Sequence, residues 1–534
     1  MKDILRDSQL TALTEQATRK AIGRRRFMEG ALAAGLTVSA ASALWSSKVE
    51  AATPKKGGTF RVGMHDGNTT DDLDPGTTES VYMIQMNHAV RSYLTEITNT
   101  NDIGPDAAES WEASDDASVW TFKLFEGMSF HNDKPFTAED AVASLNYHRG
   151  EDSKSAAKAL LEDVDEIQAD GSHTVVIKMK SGNADLPYLM SDYHLVMMPS
   201  DGEGNVDTRS GIGTGPFKIA SHDPGVSSSF ERFENYHKDV WFDEVNFLVI
   251  NDPATRQNAI TTNEVDAISE VELKTAHLLG RDPNIEIDEL ASGAHVTIPM
   301  FCDVAPFDNL DVRLALKYAM NREEVVQKIA RGHATIGNDH PIGNTLPYWA
   351  DLPQREYDPD KAKHHLKKAG AEGLTVSLSA ADAAFGGAVD MCILYKEHAA
   401  PAGINIEVVR EPNDGYWSNV WLVKPFVVVA WGARPTPDVM FSLAYKDDAA
   451  WNESHWQNAD FNKILREAKS ELNQERRTEM YRDMQMLCRD DGGTIVPFFR
   501  NRVFARRSNV MHGPDMAGNW EMDGARSYQR WWFE

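Results

Sequence analysis

The sequence predicts a mixed α/β protein of two or three domains, and three observations predict it. The 534 residues are 42% hydrophobic and 25% charged, an ordinary globular balance on a chain long enough for several cores. Strand-like and helix-like segments alternate irregularly, which suits sheet-and-helix layers rather than a bundle or a sandwich. The stretch from Trp111 to Val142 shows that alternation at close range. Trp120, Phe122 and Leu124 point one way and Val119, Thr121 and Lys123 the other, the period of a half-buried strand. Thr137 then caps a helix whose positive first turn carries Glu139 and Asp140.

The first fifty residues differ from the rest. Arg24-Arg25-Arg26-Phe27-Met28 fits a twin-arginine export signal: two arginines, one free position, then Phe and an apolar residue. The apolar run Ala31 to Trp45 is shorter than the roughly 20 residues a membrane span needs. Val49-Glu50-Ala51 has the small-residue spacing of a cleavage site. Residues 1–51 are therefore read as a signal peptide, with the mature chain expected from Ala52. An amphipathic helix with a chance arginine cluster is the other reading. No Cys follows the apolar run, as a lipid anchor there would require.

The formal net charge is −27, and residues 1–51 contain more basic than acidic side chains, so the remainder is more acidic still. Such a surface disfavours nucleic acid and anionic lipid, and no long basic run offsets it. No later stretch is apolar enough to span a bilayer, so a soluble exported product is expected. Cys302, Cys392 and Cys488 are odd in number and lack zinc spacing. Three buried thiols are expected rather than a disulfide.

Along the mature chain, Thr59 to Met64 reads as a first strand, followed by an acidic, turn-rich loop from Asp66 to Gly76 and a helix from Glu79. Asp170-Gly171 sits between two strand-like runs in Ile167 to Lys180, a hairpin signal. Asp358-Pro359 opens a helix that Gly370 closes. Phe461, Ile464, Leu465 and Ala468 make one buried helical stripe; Tyr481, Met484, Leu487 and Cys488 make another.

Several motifs in order resemble the peptide/opine/nickel family of extracytoplasmic solute-binding proteins of ABC importers. They are the Trp111–Val142 segment, Leu73-Asp74-Pro75, Tyr93-Leu94-Thr95-Glu96, Ala108-Glu109-Ser110-Trp111-Glu112 and Gly213-Thr214-Gly215-Pro216-Phe217. Pro306-Phe307-Asp308-Asn309 to Asn321-Arg322 and Tyr357-Asp358-Pro359 to Ala369-Gly370 complete the series. Two positions depart from the family signature: Phe125 stands where a basic residue is usual, and Asp133 near a usual Gly. The resemblance implies the two-lobed periplasmic binding protein fold, with an extra subdomain inserted in lobe 1. Lobe 1 is expected at 52–298 plus 497–534, the insert at about 90–205 and lobe 2 at 299–496. Crossover strands are expected near Gly293–Phe301 and Val496–Phe504.

The function so implied is capture of a peptide or peptide-like solute in the interlobe cleft and delivery to an inner-membrane ABC permease, by a periplasmic monomer without a cofactor. Trp431 matches a pocket-lining Trp of the family; it either walls the solute or caps the strand Val427–Trp431 within the core. Arg434 stands where dipeptide-type relatives carry the Asp that pairs with a peptide ammonium, and Ala380–Asp390 lacks their carboxylate-binding Arg. A guanidinium grips carboxylate or phosphate and cannot serve an ammonium. Arg434 is therefore expected on an anionic group. Asp438 would orient Arg434 or accept from the solute, or simply form a surface pair with it. Thr77, Thr78, Glu79 and Tyr82 are further candidates from the loop after the first strand, alternatively a capped acidic helix start. His295, in the first crossover, either reaches the cleft or is structural.

An enzyme finds no support: CxxC, HExxH, GxSxG and GKS/T motifs are absent. Gly211 to Gly215 is followed by Pro216 and Phe217 rather than a helix, and Asp71, Asp72 and Asp74 lack calcium-loop spacing. An anionic amino-acid derivative, such as an opine or sugar-acid conjugate, is the alternative solute. A nickel- or haem-type binder is the alternative of another class, with His333 and His340 or the adjacent His364-His365 as its ligand candidates.

Overall fold

A computed structural model describes residues 54–413 and 416–534, so the signal peptide expected at residues 1–51 lies outside the described residues. Three sheets organise them. The first has seven strands in the order Ile285–Leu290, Arg502–Arg507, Ala267–Ile268, Thr59–Met64, Glu244–Val249, Ser227–Arg232, Phe217–Asp223. Thr59–Met64 is parallel to both its neighbours, and the outer pairings are antiparallel. Its alternate residues Phe60, Val62 and Met64 are fully buried, with Phe217, Phe247, Phe504 and Trp531 in the same core.

The second sheet aligns Ala334–Ile336, Phe498–Arg500, His295–Pro299 and Val429–Trp431, with Thr494–Ile495 also on His295–Pro299. The parallel pair Thr375–Ala380 and Asn405–Arg410 joins it through a bridge from Ser379 to Val427. Helices Leu310–Tyr318, Pro359–Ala369, Ala388–Ala399 and Gln474–Asp490 contribute to the largest core. The chain passes between these two sheets twice, over 291–294 and at Asn501.

The third sheet is antiparallel, in the order Ala108–Ala113, Val119–Leu124, Thr174–Met179, Val164–Ala169, and has its own core. Trp120, Phe122 and Leu124 are its buried face, as the alternation predicts. The Asp170-Gly171 turn joins the last two strands antiparallel, as the hairpin signal predicts. The Asp140 carboxylate accepts from both the backbone N and the Oγ1 of Thr137, at 3.0 Å each.

The Gly213-Thr214-Gly215 motif has a steric reason. The chain leaves the first sheet through Val90-Arg91 and returns through Gly213–Gly215, and the two passes touch. The Gly215 N–H donates to the Val90 carbonyl at 2.9 Å. A Cβ on Gly213 would sit 2.1 Å from that oxygen. Leu73-Asp74-Pro75 braces the same junction: Arg91 donates to the Leu73 carbonyl at 2.9 Å and Tyr147 donates to Asp74 at 2.7 Å.

The motif helices of the second core end in buried charge. Asp339 is fully buried between Arg322 (2.6 Å) and Arg355 (2.8 Å), and its carboxylate also accepts from the Val496 N–H at 3.1 Å. Burial opposes its ionisation, but the two guanidiniums and Lys317 hold it below the usual carboxylate range. Lys317 caps the C-terminus of Gln474–Asp490 by donating to the carbonyls of Cys488, Arg489 and Gly492 at 3.2, 3.0 and 2.8 Å. Cys392 and Cys488 are buried and Cys302 partly so; all three are free thiols.

Removing one partner of a buried ion pair costs about 3–5 kcal/mol, because the other charge stays desolvated. Asp339→Asn is therefore expected to lower stability by about that amount, read as the shift of the urea midpoint. The Asp339 contribution is present above the unfolded carboxyl pKa and is lost as pH falls through its lower folded pKa. The variant and the parent should therefore converge in strong acid. A shift below about 1 kcal/mol at neutral pH would refute the network's role.

Candidate functional site

The second sheet presents its strand end and following loop to the other half of the molecule. Val429–Trp431 runs antiparallel to His295–Pro299, with Trp431 opposite His295. Val427 to Val429 are buried, and the chain surfaces at Gly432. The Trp431 ring lies 6.2 Å from Trp421 and 6.0 Å from Trp451; Trp421 is 5.7 Å from Trp451 and 5.8 Å from Trp417. Trp417 and Trp451 remain 44% and 40% exposed, so an aromatic wall runs from the core to solvent.

Glu453 lies buried behind that wall. It accepts from Thr297 Oγ1 at 2.6 Å and from the Trp421 indole at 3.0 Å, and the Trp431 indole faces it without closing a well-formed hydrogen bond. Burial pushes this carboxyl above its usual range and the donors partly restrain it.

The Arg434 guanidinium lies 5.7 Å from the centre of the Trp431 ring. Its one hydrogen bond is to the neighbouring Ala433 carbonyl, at 3.2 Å, and it has no ion pair among the described residues. Burial lowers its basicity, and Tyr193 and Asp192 from the other half act against that. Tyr193 is in turn under the influence of Glu79 and stands edge-on to Trp520 at 5.3 Å. The structure thus brings Trp431, Arg434, Tyr193 and Glu79 to one region.

The remaining sequence candidates divide. Glu79 and Thr77 are exposed in the loop before the helix Val81–Val90, which begins two residues later than predicted and is capped by Ser80. Thr78 is buried: its hydroxyl accepts from Asn87 at 2.9 Å and its carbonyl from His194 at 3.1 Å. Tyr82 corrects the expectation. It is fully buried beneath the first sheet, bonded to Ser228 at 2.7 Å, because a helix start places that side chain on the core face. His295 is also fully buried. Its Nδ1 donates to the Gly293 carbonyl at 2.9 Å, and burial lowers its pKa to about 4, so it is neutral at pH 7.

Asp438 forms no ion pair with Arg434, contrary to the expected pairing. It lies buried in the first turn of the helix Pro437–Ala444, which Thr436 caps, and the acidic groups that act on it, Asp185 and Asp163, flank the third sheet. A contact between halves forms there. Arg477 pairs with Asp185 at 2.7 Å, both side chains 1% exposed. Lys469 pairs with Asp163 at 2.5 Å, the Ala184 N–H donates to the Lys469 carbonyl at 2.7 Å, and Val439 and Leu472 pack on the third sheet's core. Burial, then the Asp185 charge, raises the Asp438 pKa to about 7; Lys469 and Arg477 oppose this.

Of the proposed metal ligands, His333 pairs with Glu289 at 2.9 Å, His365 with Asp311 at 2.8 Å, and His340 is buried. Among the described residues no group of three or more His, Cys, Asp or Glu is placed to hold a metal ion. The sequence reading missed Trp417, Trp421, Trp451 and Glu453. Their signal was density: five of the 13 tryptophans fall between 417 and 456.

Residues 102–453 match the family of bacterial extracellular solute-binding proteins, family 5 (middle region), and the chain belongs to that family. Among its relatives is a probable peptide ABC transporter periplasmic-binding protein of Sinorhizobium fredii, 29% identical over 66% of this chain and 69% of its own length. Another is di/tripeptide-binding protein 1 of Pseudomonas aeruginosa, 23% identical over 76% and 82%. HbpA2 from Haemophilus parasuis superposes with a TM-score of 0.78 at 18% identity, over 88% of this chain and 99% of that one. DppA from Helicobacter pylori, solved with the peptide STSA, gives 0.70 at 20% identity over 90% and 99%. The fold is the two-lobed one of these binding proteins. No helix of the described residues is long and apolar enough to cross a membrane.

Because the folded pKa of Asp438 lies above its unfolded value, the folded state holds that proton more tightly. Stability from this group is full below about pH 4 and declines as pH rises through about 7. Asp438→Asn, which keeps the neutral shape, is therefore expected to be more stable than the parent at pH 8 and equal to it near pH 4, by thermal unfolding. A variant less stable at pH 8 would show that the carboxylate is needed in its charged form.

Proposed function

We propose that this protein is the periplasmic substrate-binding component of an ABC importer. It captures a peptide or peptide-like solute between two lobes and presents the closed form to an inner-membrane permease. Support comes from the family, from relatives named as peptide binders, and from the arrangement around Arg434. The lobes proposed are 52–298 with 497–534, and 299–496, with the insert at about 90–205 in the first. Residues 1–51 serve as a twin-arginine export signal, and the mature protein acts as a monomer.

The observation that carries the reading is a desolvated arginine without an ion-pair partner among the described residues, seated on a tryptophan and facing the opposite half. Such a cation is stabilised by an anionic group that arrives from outside. Trp431 and its neighbours supply an apolar face beside it, Glu79 and Thr77 offer polar groups from lobe 1, and no bond of the solute is made or broken. Binding to one lobe followed by contact with the other shifts the population toward closure through differential affinity alone.

Arg434 also favours a second reading, an anionic amino-acid derivative such as an opine or sugar-acid conjugate, over a free dipeptide held by its ammonium. Mass spectrometry of solute released by denaturing gently purified protein separates the two. Arg434→Ala is expected to weaken binding of that solute by about tenfold to a hundredfold, the worth of a charge-assisted hydrogen bond. Calorimetric titration measures it, and unchanged affinity would remove Arg434 from the site.

A further inference from the structure

A cavity of about 260 Å³ opens where the chain crosses between the two sheets. Ser269 to Val271 and Arg502-Val503 line it from the first sheet's side, Phe385-Gly386 and Phe498 from the second, and Arg500 stands between them. At about 30 Å³ per water of liquid volume, the space admits a group of several heavy atoms.

The charges around it are matched one by one, with a single exception. Arg502 pairs with Glu521 at 2.6 Å. Glu270 pairs with Arg256 at 3.1 Å. His333 pairs with Glu289 at 2.9 Å. Arg500 has no hydrogen bond or ion pair from its guanidinium among the described residues. It is exposed to solvent yet closely surrounded by protein, whose burial, together with the Arg502 charge, disfavours its charged form. Glu270 and Glu521 act on it only from a distance.

The backbone beneath this guanidinium is hydrogen-bonded to the other crossing of the chain. The Arg500 N–H donates to the Ala294 carbonyl at 2.7 Å, and the Arg500 carbonyl accepts from Ser292 Oγ at 2.7 Å. The arginine thus projects from the hydrogen-bonded crossing segment into a space walled by Phe385, Phe498 and Val271. A cation held at a fixed place, partly desolvated and uncompensated, is a receptor for an oxyanion carried on an apolar stem. Among the described residues another cation shares this character. It is Arg434, and both act electrostatically on the buried His295 that lies between the two chain segments bearing them.

We propose that Arg500 is a second anion anchor, so that the solute carries two separated acidic groups, one met by Arg434 and one by Arg500. This rests on the solute-binding reading and narrows its substrate class: a diacid with an apolar stem on the Arg500 side, rather than a neutral zwitterionic peptide. The anchor chemistry is shared by carboxylate and phosphate.

The test uses the mature protein with N-succinyl-L-alanine, its succinyl half-ester, L-alanyl-L-alanine and N-acetyl-O-phosphoserine, by thermal shift and calorimetry. The parent should bind the diacid or the phosphate compound about tenfold to a hundredfold more tightly than the half-ester. Whichever of the two is preferred names the oxyanion. Arg500→Gln should erase that preference and leave the half-ester's affinity unchanged, which also shows the variant is folded; Arg500→Lys should restore part of it. Equal binding of diacid and half-ester by the parent, or a preference that survives Arg500→Gln, overturns the proposal. Where none of the four probes binds, the solute released on denaturation decides: two acidic groups support the assignment, and one overturns it. A protein that binds neither probe nor endogenous solute refutes solute capture itself, and the Arg500 assignment with it.

Discussion

The two crossings of the chain between the sheets are the constraint on which the rest depends. His295–Pro299 and Phe498–Arg500 lie in the second sheet, while Ile285–Leu290 and Arg502–Arg507, a few residues away on the same segments, pair with each other in the first. The two large cores are therefore joined through a narrow paired neck. Each core is complete on its own side, with the aromatic layer of Phe60, Phe247 and Trp531 on one and the broad aliphatic set around Val296 and Leu378 on the other. Two packed bodies on a thin neck are free to move as bodies, because cores resist continuous deformation while a neck of few residues absorbs dihedral change.

Charge is sorted by place. Deep in the cores it is matched: Asp339 has two guanidiniums, Lys317 has three carbonyls, and Arg526 is held between Glu96 and Asp106 at 3.1 and 3.0 Å. Between the halves the matching is partial. Asp185 and Asp438 share one arginine's field in the contact with the third sheet, whereas Arg434 lies open to the region between the halves. An interface that carries several charged groups separates more readily than a core, so closure depends on what the open side receives.

Much of this architecture was legible in the sequence. The strand at Trp120–Leu124 follows from alternation and the hairpin at Asp170-Gly171 from turn chemistry. The helix Pro359–Ala369 follows from a capping Asp358 and a left-handed Gly370 (φ 65°). The motifs that carry the family resemblance prove to be structural: Gly213 and Gly215 allow two chain passes to touch, and Arg322 serves the buried Asp339. The candidate site was less legible, because it is assembled from strand ends far apart in sequence. The strand running out at Trp431 and the family resemblance pointed to Trp431 and Arg434 as candidates, but they could not show that Tyr82 and His295 turn inward, that Asp438 is buried away from Arg434, or that Trp421 and Trp451 lean on Trp431. Pairings over hundreds of residues, such as Trp520 beside Tyr193, leave no local signal.

The central claim is that a small molecule clamped between two hinged bodies closes this protein. Small-angle X-ray scattering tests it most directly, on protein stripped of solute by unfolding and refolding and again after its own released solute is returned. The stripped form should show a larger radius of gyration that contracts when the solute is restored. A radius that stays the same in both states would contradict the account.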